Sequence, residues 1–134
     1  ADLERVLQDA VLGPKKYGKI LLVVEGIYSM EGDMARLKEI LPVAKRYGAY
    51  VYLDEAHSIG AIGPSGRGVT DELGVGTDSI DIMMGTFSKS FGASGGYIAG
   101  EKHVVDHVRR FAAGATDAAS MPPACAVQIL QALK

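Results

Sequence analysis

Short runs of branched apolar residues alternate with helical patterns along this chain, and that alternation restricts the folds open to it. Residues 19–24 (KILLVV), 49–53 (AYVYL) and 80–84 (IDIMM) are too short for core helices and are rich in strand-favouring residues. The first run is almost continuously apolar, which is typical of a strand buried on both faces of a sheet. A fourth short strand is predicted at residues 96–99 (GYIA).

The segments between these runs repeat apolar residues at helical spacing, which is the pattern of a helix with one buried face. The sequence therefore predicts helices at residues 3–12, about 34–47, 69–73, 101–113 and 124–133. Strands separated by helices in this way favour βαβ units. We expect an α/β fold in which a mainly parallel sheet carries helices on both faces.

The composition limits the class of protein and its partners. At 134 residues, with 48% hydrophobic and 22% charged side chains, the chain can bury the core of one ordinary soluble domain. Its net charge of -2 comes from interspersed acids and bases, so nothing in it favours nucleic acid or an anionic membrane as a partner. No apolar run approaches the length of a membrane-spanning helix. The lone Cys125 allows no intramolecular disulfide, which fits a reducing compartment.

Polar side chains follow three of the predicted strands. They are Glu25 and Ser29 after the first, Asp54 and His57 after the second, and Thr86, Ser88 and Lys89 after the third. Ligands of open α/β sheets bind beyond the carboxyl ends of the strands. The sequence therefore predicts that these groups converge on one crevice.

Lys89 is the most informative of these residues. It follows a predicted core strand within GTFSKSFGASGG (residues 85–96), whereas the other lysines lie on predicted helices, in turns, at the start of a strand or at a chain end. The small residues around it let a ligand approach the backbone closely. A desolvated lysine amine can attack a carbonyl carbon and form a Schiff base. We therefore predict that Lys89 has a chemical role.

The other strand-end groups each have a structural and a functional interpretation. Asp54 could cap a turn, or it could pair with the protonated ring nitrogen of a cofactor. His57 could cap the same turn, but together with Asp54 it could address two atoms of one planar heterocycle. The hydroxyls of Thr86, Ser88 and Ser90 are either ordinary loop groups or, with free backbone N–H groups, a phosphate site.

Two other functional interpretations are weak. The letters of residues 54–57 (DEAH) also occur in ATP-dependent helicases, but the chain has no GxxxxGK[ST] phosphate loop. His103 and His107 have the spacing of metal ligands on a helix, but the sequence singles out no third ligand to complete a site with them. We expect neither a helicase nor a metal site.

Three blocks of the sequence together carry a family resemblance. Residues 24–33 (VEGIYSMEGD), 49–68 (AYVYLDEAHSIGAIGPSGRG) and 83–100 (MMGTFSKSFGASGGYIAG) resemble consecutive blocks of the α-oxoamine synthases, which are fold type I pyridoxal-phosphate enzymes. The resemblance covers about residues 19–134, and within the family residues 85–98 are most similar to the catalytic subunits of eukaryotic serine palmitoyltransferases. It implies that the chain is part of the large, cofactor-binding domain of such a transferase.

The resemblance also implies a role for each strand-end residue. Lys89 would hold pyridoxal 5'-phosphate as a Schiff base, and Asp54 would pair with the pyridinium nitrogen. His57 would contact the side of the ring that carries the hydroxyl, with Ser29 nearby. Thr86 would bind the phosphate.

The reaction of the family is a decarboxylative Claisen condensation of an amino acid with an acyl-CoA. In the most similar branch the substrates would be L-serine and palmitoyl-CoA, and the product would be 3-ketodihydrosphingosine. The alternatives are an 8-amino-7-oxononanoate synthase, a 2-amino-3-ketobutyrate CoA ligase, a 5-aminolevulinate synthase, or a non-catalytic chain of the same fold. A non-catalytic subunit is expected to lack the lysine at position 89.

Some elements of the family's site are not found in these residues. The aromatic side chain that stacks on the cofactor ring and the arginine that binds the substrate carboxylate are expected from other parts of the chain. Ala118 and Ala119 stand where relatives have a threonine-serine pair through which a partner subunit reaches the phosphate. We therefore expect residues 1–134 to be the central portion of a longer chain that forms a homodimer or a heterodimer. The segment alone should bind the cofactor poorly and show no turnover. If the protein is a eukaryotic member of this branch, the resemblance implies that it is associated with the endoplasmic reticulum membrane on the cytosolic face.

Overall fold

The computed structural model describes residues 2–134, in which the predicted strands and helices are all present. The strands are β1 Leu21–Glu25, β2 Tyr50–Asp54, β3 Ile82–Thr86 and β4 Gly96–Gly100. The helices are α1 Asp2–Leu12, α2 Leu37–Arg46, α3 Val69–Leu73, α4 Lys102–Phe111, α5 Ala113–Thr116 and α6 Pro123–Ala132, with a 3-10 turn at Thr77–Ser79. The short α5 was not predicted, and β3 begins later than predicted and includes Thr86. In the described part of the chain, no helix has both the length and the apolar character needed to cross a bilayer.

The four strands form one mixed sheet in the order β1-β2-β3-β4. The β1–β2 and β2–β3 pairs are parallel, and β3–β4 is antiparallel. The antiparallel pair follows from the short connection over residues 87–95, because a parallel return would need a much longer crossover. The prediction of a mainly parallel α/β sheet is confirmed.

The main core lies between one face of the sheet and helices α2 and α3. Val51 and Leu53 alternate with less buried residues along β2 and point into this core, as the period of a strand requires. Leu37 and Ala44 are seven residues apart and therefore lie on the same face of α2, where both are buried. This packing fixes β2, the strand that ends at Asp54, in the middle of the sheet.

The opposite face of the sheet is only partly covered. Helix α4 lies on this side, so helices flank both faces as predicted, but it packs against β4 and leaves the β1 side open. Leu21 and Val23 consequently remain 52% and 60% exposed. The prediction that this first strand is buried on both faces is therefore wrong within the described residues, because no element covers its second face.

A fully buried carboxylate connects the end of β2 to the start of α3. Glu55 has 0% exposure and accepts hydrogen bonds from the backbone N–H groups of Val69, at 3.0 Å, and Thr70, at 3.4 Å. The Ser58 hydroxyl donates to the same carboxylate. A Cβ on Gly68 would lie 2.5 Å from the carboxylate oxygen, so only glycine allows this approach. No pattern in the sequence indicates this role of Glu55, which holds the chain segment that follows Asp54.

Gly85 in β3 lies directly under the ring of Tyr97 in β4. A Cβ at position 85 would approach the ring and hydroxyl of Tyr97 to 2.5–2.6 Å, which no real side chain tolerates. We predict that Gly85→Ala lowers the free energy of unfolding by about 1–3 kcal/mol, because the ring must leave its packed position. Denaturant unfolding of the two proteins measures the difference.

Gly114 provides the matched control for this substitution. A Cβ there would meet no atom within 4 Å, and the residue lies in helix α5. Gly114→Ala should therefore leave stability unchanged or raise it slightly. Equal losses at positions 85 and 114 would contradict the steric explanation.

Candidate active site

The carboxyl ends of β1, β2 and β3 meet at one edge of the sheet. These strands run parallel, and the register places Glu25 directly beside Asp54 and Asp54 beside Met84. Paired residues of parallel strands point to the same face. The two carboxylates therefore lie next to each other at the edge where the connecting loops also emerge.

Lys89 and His57 come together at this edge. Lys89 lies in the loop between β3 and β4, and His57 lies in the turn after β2. The Lys89 Nζ atom is 3.2 Å from His57 Nδ1, within hydrogen-bonding distance. This contact joins residues 32 positions apart, and it confirms that the groups following two different strands converge.

Glu25 completes a cluster around the same imidazole. Its Oε2 atom lies 4.0 Å from His57 Nδ1, and both side chains are partly accessible, at 42% for Glu25 and 34% for His57. One ring nitrogen therefore faces both an amine and a carboxylate. In the tautomer that leaves Nδ1 without a hydrogen, this nitrogen accepts a hydrogen bond from the Lys89 amine. The sequence predicts Glu25 among the groups that converge here, but it indicates no contact between Glu25 and His57.

Asp54 shapes a turn, which is the structural interpretation of this residue, and it uses only one of its two carboxylate oxygens to do so. Its Oδ1 atom accepts a hydrogen bond of 2.8 Å from the Ala56 N–H, which shapes the turn leading to His57. The turn therefore holds the carboxylate in a fixed orientation at the end of the central strand. Its role towards a cofactor stays a prediction.

The Thr86 hydroxyl is bonded within the loop that carries Lys89. It lies 2.8 Å from Ser88 Oγ, donates to the Gly95 carbonyl at 3.2 Å and accepts from the Ser88 N–H at 3.2 Å. The two hydroxyls are thus side by side, but Thr86 also organises the loop. Ser29 lies in the turn after β1 with an exposed side chain, and the predicted roles of Thr86 and Ser29 towards a cofactor stay predictions.

Three aromatic rings hold the loop of Lys89 against the sheet. Phe87 meets Phe91 edge to face with ring centroids 5.3 Å apart, and it meets Tyr97 at 5.5 Å. Phe91 is buried. Aromatic pairs of this geometry add stability beyond the area that they bury. This support was not predicted, although the two phenylalanines are the only large apolar residues in a loop of mostly small residues.

Two tyrosines near the site remain neutral at physiological pH. Burial raises the pKa of Tyr52, and the neighbouring Asp54 carboxylate raises it further. Burial also raises the pKa of Tyr97, with a further contribution from the Glu55 carboxylate. Neither phenol therefore adds negative charge near the Asp54 and Glu55 carboxylates.

The described residues contain no group of three or more histidine, cysteine, aspartate or glutamate side chains arranged to hold a metal ion. The His107 ring instead packs on Phe111, with the ring centroids 4.7 Å apart.

Comparison with known proteins identifies relatives that share this segment. Over nearly its whole length the chain is 52% identical to human "Serine palmitoyltransferase 3" and 50% identical to the Caenorhabditis elegans protein of the same name. The alignments cover 98% and 99% of this chain, but only 25% and 27% of those relatives. The chain therefore spans about a quarter of the length of the curated relatives that it matches.

The fold is also shared with a solved enzyme. A variant of the serine palmitoyltransferase from S. paucimobilis, solved with a bound PLP-myriocin aldimine, superposes with a TM-score of 0.86 at 39% sequence identity. The match covers 98% of this chain and 32% of that one. The sequence profile of the family described as "Aminotransferase class I and II" matches residues 2–134. The chain belongs to the aminotransferase class I and II family.

Proposed function

We propose that the protein containing this chain is a pyridoxal-phosphate-dependent acyltransferase that condenses L-serine with palmitoyl-CoA. The products would be 3-ketodihydrosphingosine, carbon dioxide and free CoA. The observation that carries the proposal is the contact between the Lys89 amine and His57, 3.2 Å apart beyond the strand that ends in Asp54. The relatives that share about half of the residues are named serine palmitoyltransferases, which supports this choice of substrates.

The residues at the strand ends fit pyridoxal phosphate. The cofactor needs an amine for its aldehyde, an anion for its ring nitrogen and donors for its phosphate. Lys89 supplies the amine, Asp54 supplies a carboxylate held by the turn, and the hydroxyls of Thr86 and Ser88 lie together on the same loop. The glycines at 92 and 95 have positive φ angles and leave this loop without bulky side chains.

The cofactor, when bound, supplies an electron sink for the negative charge that develops at the α-carbon of the amino acid. Asp54 keeps the proton on the ring nitrogen, because a carboxylate beside that nitrogen favours its cationic form. Lys89 holds or moves the proton at the α-carbon as a general base or acid. His57 orients the Lys89 amine through the contact at Nδ1, and the Glu25 carboxylate lies 4.0 Å from the same nitrogen.

We also propose that residues 1–134 are the central part of a longer subunit. The fraction of the relatives that they cover supports this, and a ring-stacking side chain and a carboxylate-binding arginine would come from outside them. The subunit would pair with a copy of itself or with a related subunit. In a eukaryotic cell the enzyme would act at the cytosolic face of the endoplasmic reticulum.

A product assay on the whole protein tests the substrate assignment. L-serine, glycine and L-alanine should each be offered with a series of acyl-CoA thioesters, and the ketone products should be identified by mass. We expect serine with palmitoyl-CoA to give the highest kcat/KM. Exclusive use of glycine would assign the protein to another α-oxoamine synthase, and the absence of any condensation would favour a non-catalytic role.

Asp54→Asn tests the role of the strand-end carboxylate. The asparagine Oδ1 can still accept from the Ala56 N–H, so the turn should persist while the negative charge is lost. We expect kcat for condensation to fall roughly 10²- to 10³-fold, because a charge placed to stabilise the transition state is removed. Asp9→Asn on the exposed side of α1 is the control and should have wild-type kcat. An Asp54→Asn protein with wild-type kcat would show that Asp54 only shapes the turn.

A further inference from the structure

The loop of Lys89 contains a tight turn that begins on the lysine itself. The Gly92 N–H donates to the Lys89 carbonyl at 3.0 Å, and the Ala93 N–H donates to the Phe87 carbonyl at 2.8 Å. Gly92 has a φ of +60°, a conformation that glycine adopts more readily than other residues. The direction in which Lys89 leaves the loop therefore depends on how this turn is held.

A side chain from a distant helix holds the far end of the turn. The amide of Gln128, on α6, donates through Nε2 to the Gly92 carbonyl at 2.7 Å and to the Phe91 carbonyl at 3.2 Å. A side-chain amide has two N–H donors, so it can satisfy two carbonyls at once. A Cβ on Gly92 would lie 3.3 Å from this nitrogen, which shows how closely the helix and the turn approach each other.

We propose that Gln128 is a positioning residue for Lys89. By binding two consecutive carbonyls of the turn it fixes the loop against α6, so that the Lys89 amine is held beside His57. This inference rests on the proposed role of Lys89. A displacement of about 1 Å in a reacting group can cost roughly 10²-fold in rate, so a loosened turn should reduce turnover even in a folded protein.

Loss of the two Gln128 hydrogen bonds should affect the geometry of the loop more than the stability of the protein. Gln128 is exposed, so water can take over the two carbonyls when the amide is removed. The aromatic contacts of Phe87 and the buried Phe91 remain and keep the loop folded. Removing the Gln128 amide should therefore change the orientation of Lys89 more than the stability of the protein.

Two substitutions of similar size distinguish hydrogen bonding from packing. Gln128→Met keeps the length of the side chain but removes the donors, whereas Gln128→Lys keeps donors at a similar reach. Both residues favour helix. Gln131→Met is the matched control, because Gln131 is exposed on the same helix.

The experiment measures turnover and lysine reactivity in the whole protein. For Gln128→Met we expect kcat to fall about 10- to 100-fold with little change in KM for serine and in melting temperature. The rate at which Lys89 is labelled by pyridoxal phosphate and borohydride, in protein stripped of cofactor, should fall as well. Gln128→Lys should restore much of both, and Gln131→Met should match the wild type.

The outcomes separate this inference from the proposed function. If the wild type is active and Gln128→Met keeps wild-type kcat and labelling rate, Gln128 does not position Lys89, and the function stands. If the wild type forms no product but Gln128→Met still slows the labelling of Lys89, the positioning role stands and the proposed reaction fails. Equal loss in Gln128→Met and Gln128→Lys would overturn the hydrogen-bond explanation.

Discussion

Replacing Lys89 with alanine should abolish condensation, lowering kcat by more than about 10³-fold. In the proposed mechanism, the substitution removes both the amine that fixes the cofactor and the group that moves the proton at the α-carbon. The His57 imidazole lies 3.2 Å from the amine, but it cannot form a Schiff base with an aldehyde and so cannot replace Lys89. Product formation from serine and palmitoyl-CoA in the whole protein measures the loss.

Two further variants make the test of Lys89 specific. Lys89→Arg keeps the positive charge beside His57, but a guanidinium does not deprotonate to a nucleophile, so it should be as inactive as the alanine variant. Lys102→Ala removes an exposed lysine that pairs with Asp106 on α4, and it should have wild-type kcat. Substantial activity in Lys89→Arg would show that Lys89 contributes only its charge.

The second large effect is expected at Glu55, which is important for stability and contributes no chemistry in our proposal. Glu55→Ala leaves the buried N–H groups of Val69 and Thr70 without their acceptor, and it leaves the Ser58 hydroxyl with only the Glu55 backbone carbonyl, at 3.2 Å. Unsatisfied buried donors and the vacated space should lower the free energy of unfolding by about 2–5 kcal/mol. Denaturant unfolding of the two proteins measures this change.

Two further variants make this prediction more specific, namely Glu55→Gln and the surface control Glu39→Ala. The glutamine amide replaces one acceptor oxygen with a donor that faces other donors, so it should recover only part of the loss. Glu39→Ala removes an exposed glutamate whose ion pair with Arg36 spans 4.0 Å, and it should change stability by less than about 1 kcal/mol. A Glu55→Ala protein as stable as Glu39→Ala would contradict the assigned role.

Much of the fold could be predicted from the sequence, because the hydrophobic pattern within each short segment indicates whether it forms a strand or a helix. The apolar runs and helical spacings predicted every strand of the sheet, and the parallel order of β1, β2 and β3 followed from the intervening helices. The exposure of Val23 could not be predicted. An apolar run indicates that a strand is suited to burial, but it does not indicate whether another element covers each of its faces. Within residues 2–134 that second face has no covering element.

The site was predictable where a residue type and its place in the fold agreed. Lys89 and His57 each follow a strand, so their convergence could be expected from the rule that ligands bind beyond strand ends. The roles of Glu55 and Gln128 could not be predicted, because they depend on hydrogen-bond partners 14 and 36 positions away in the sequence. Neither residue type signals such a contact, since glutamate and glutamine are usually solvated.

The most direct test of the central claim is to locate the residue that binds the cofactor. The whole protein should be incubated with pyridoxal phosphate, reduced with borohydride and digested, and the pyridoxyl-labelled peptide should be sequenced by mass spectrometry. We predict one stoichiometric label on Lys89, and its loss in Lys89→Arg. A label on any other lysine, or no label at all, would contradict the account.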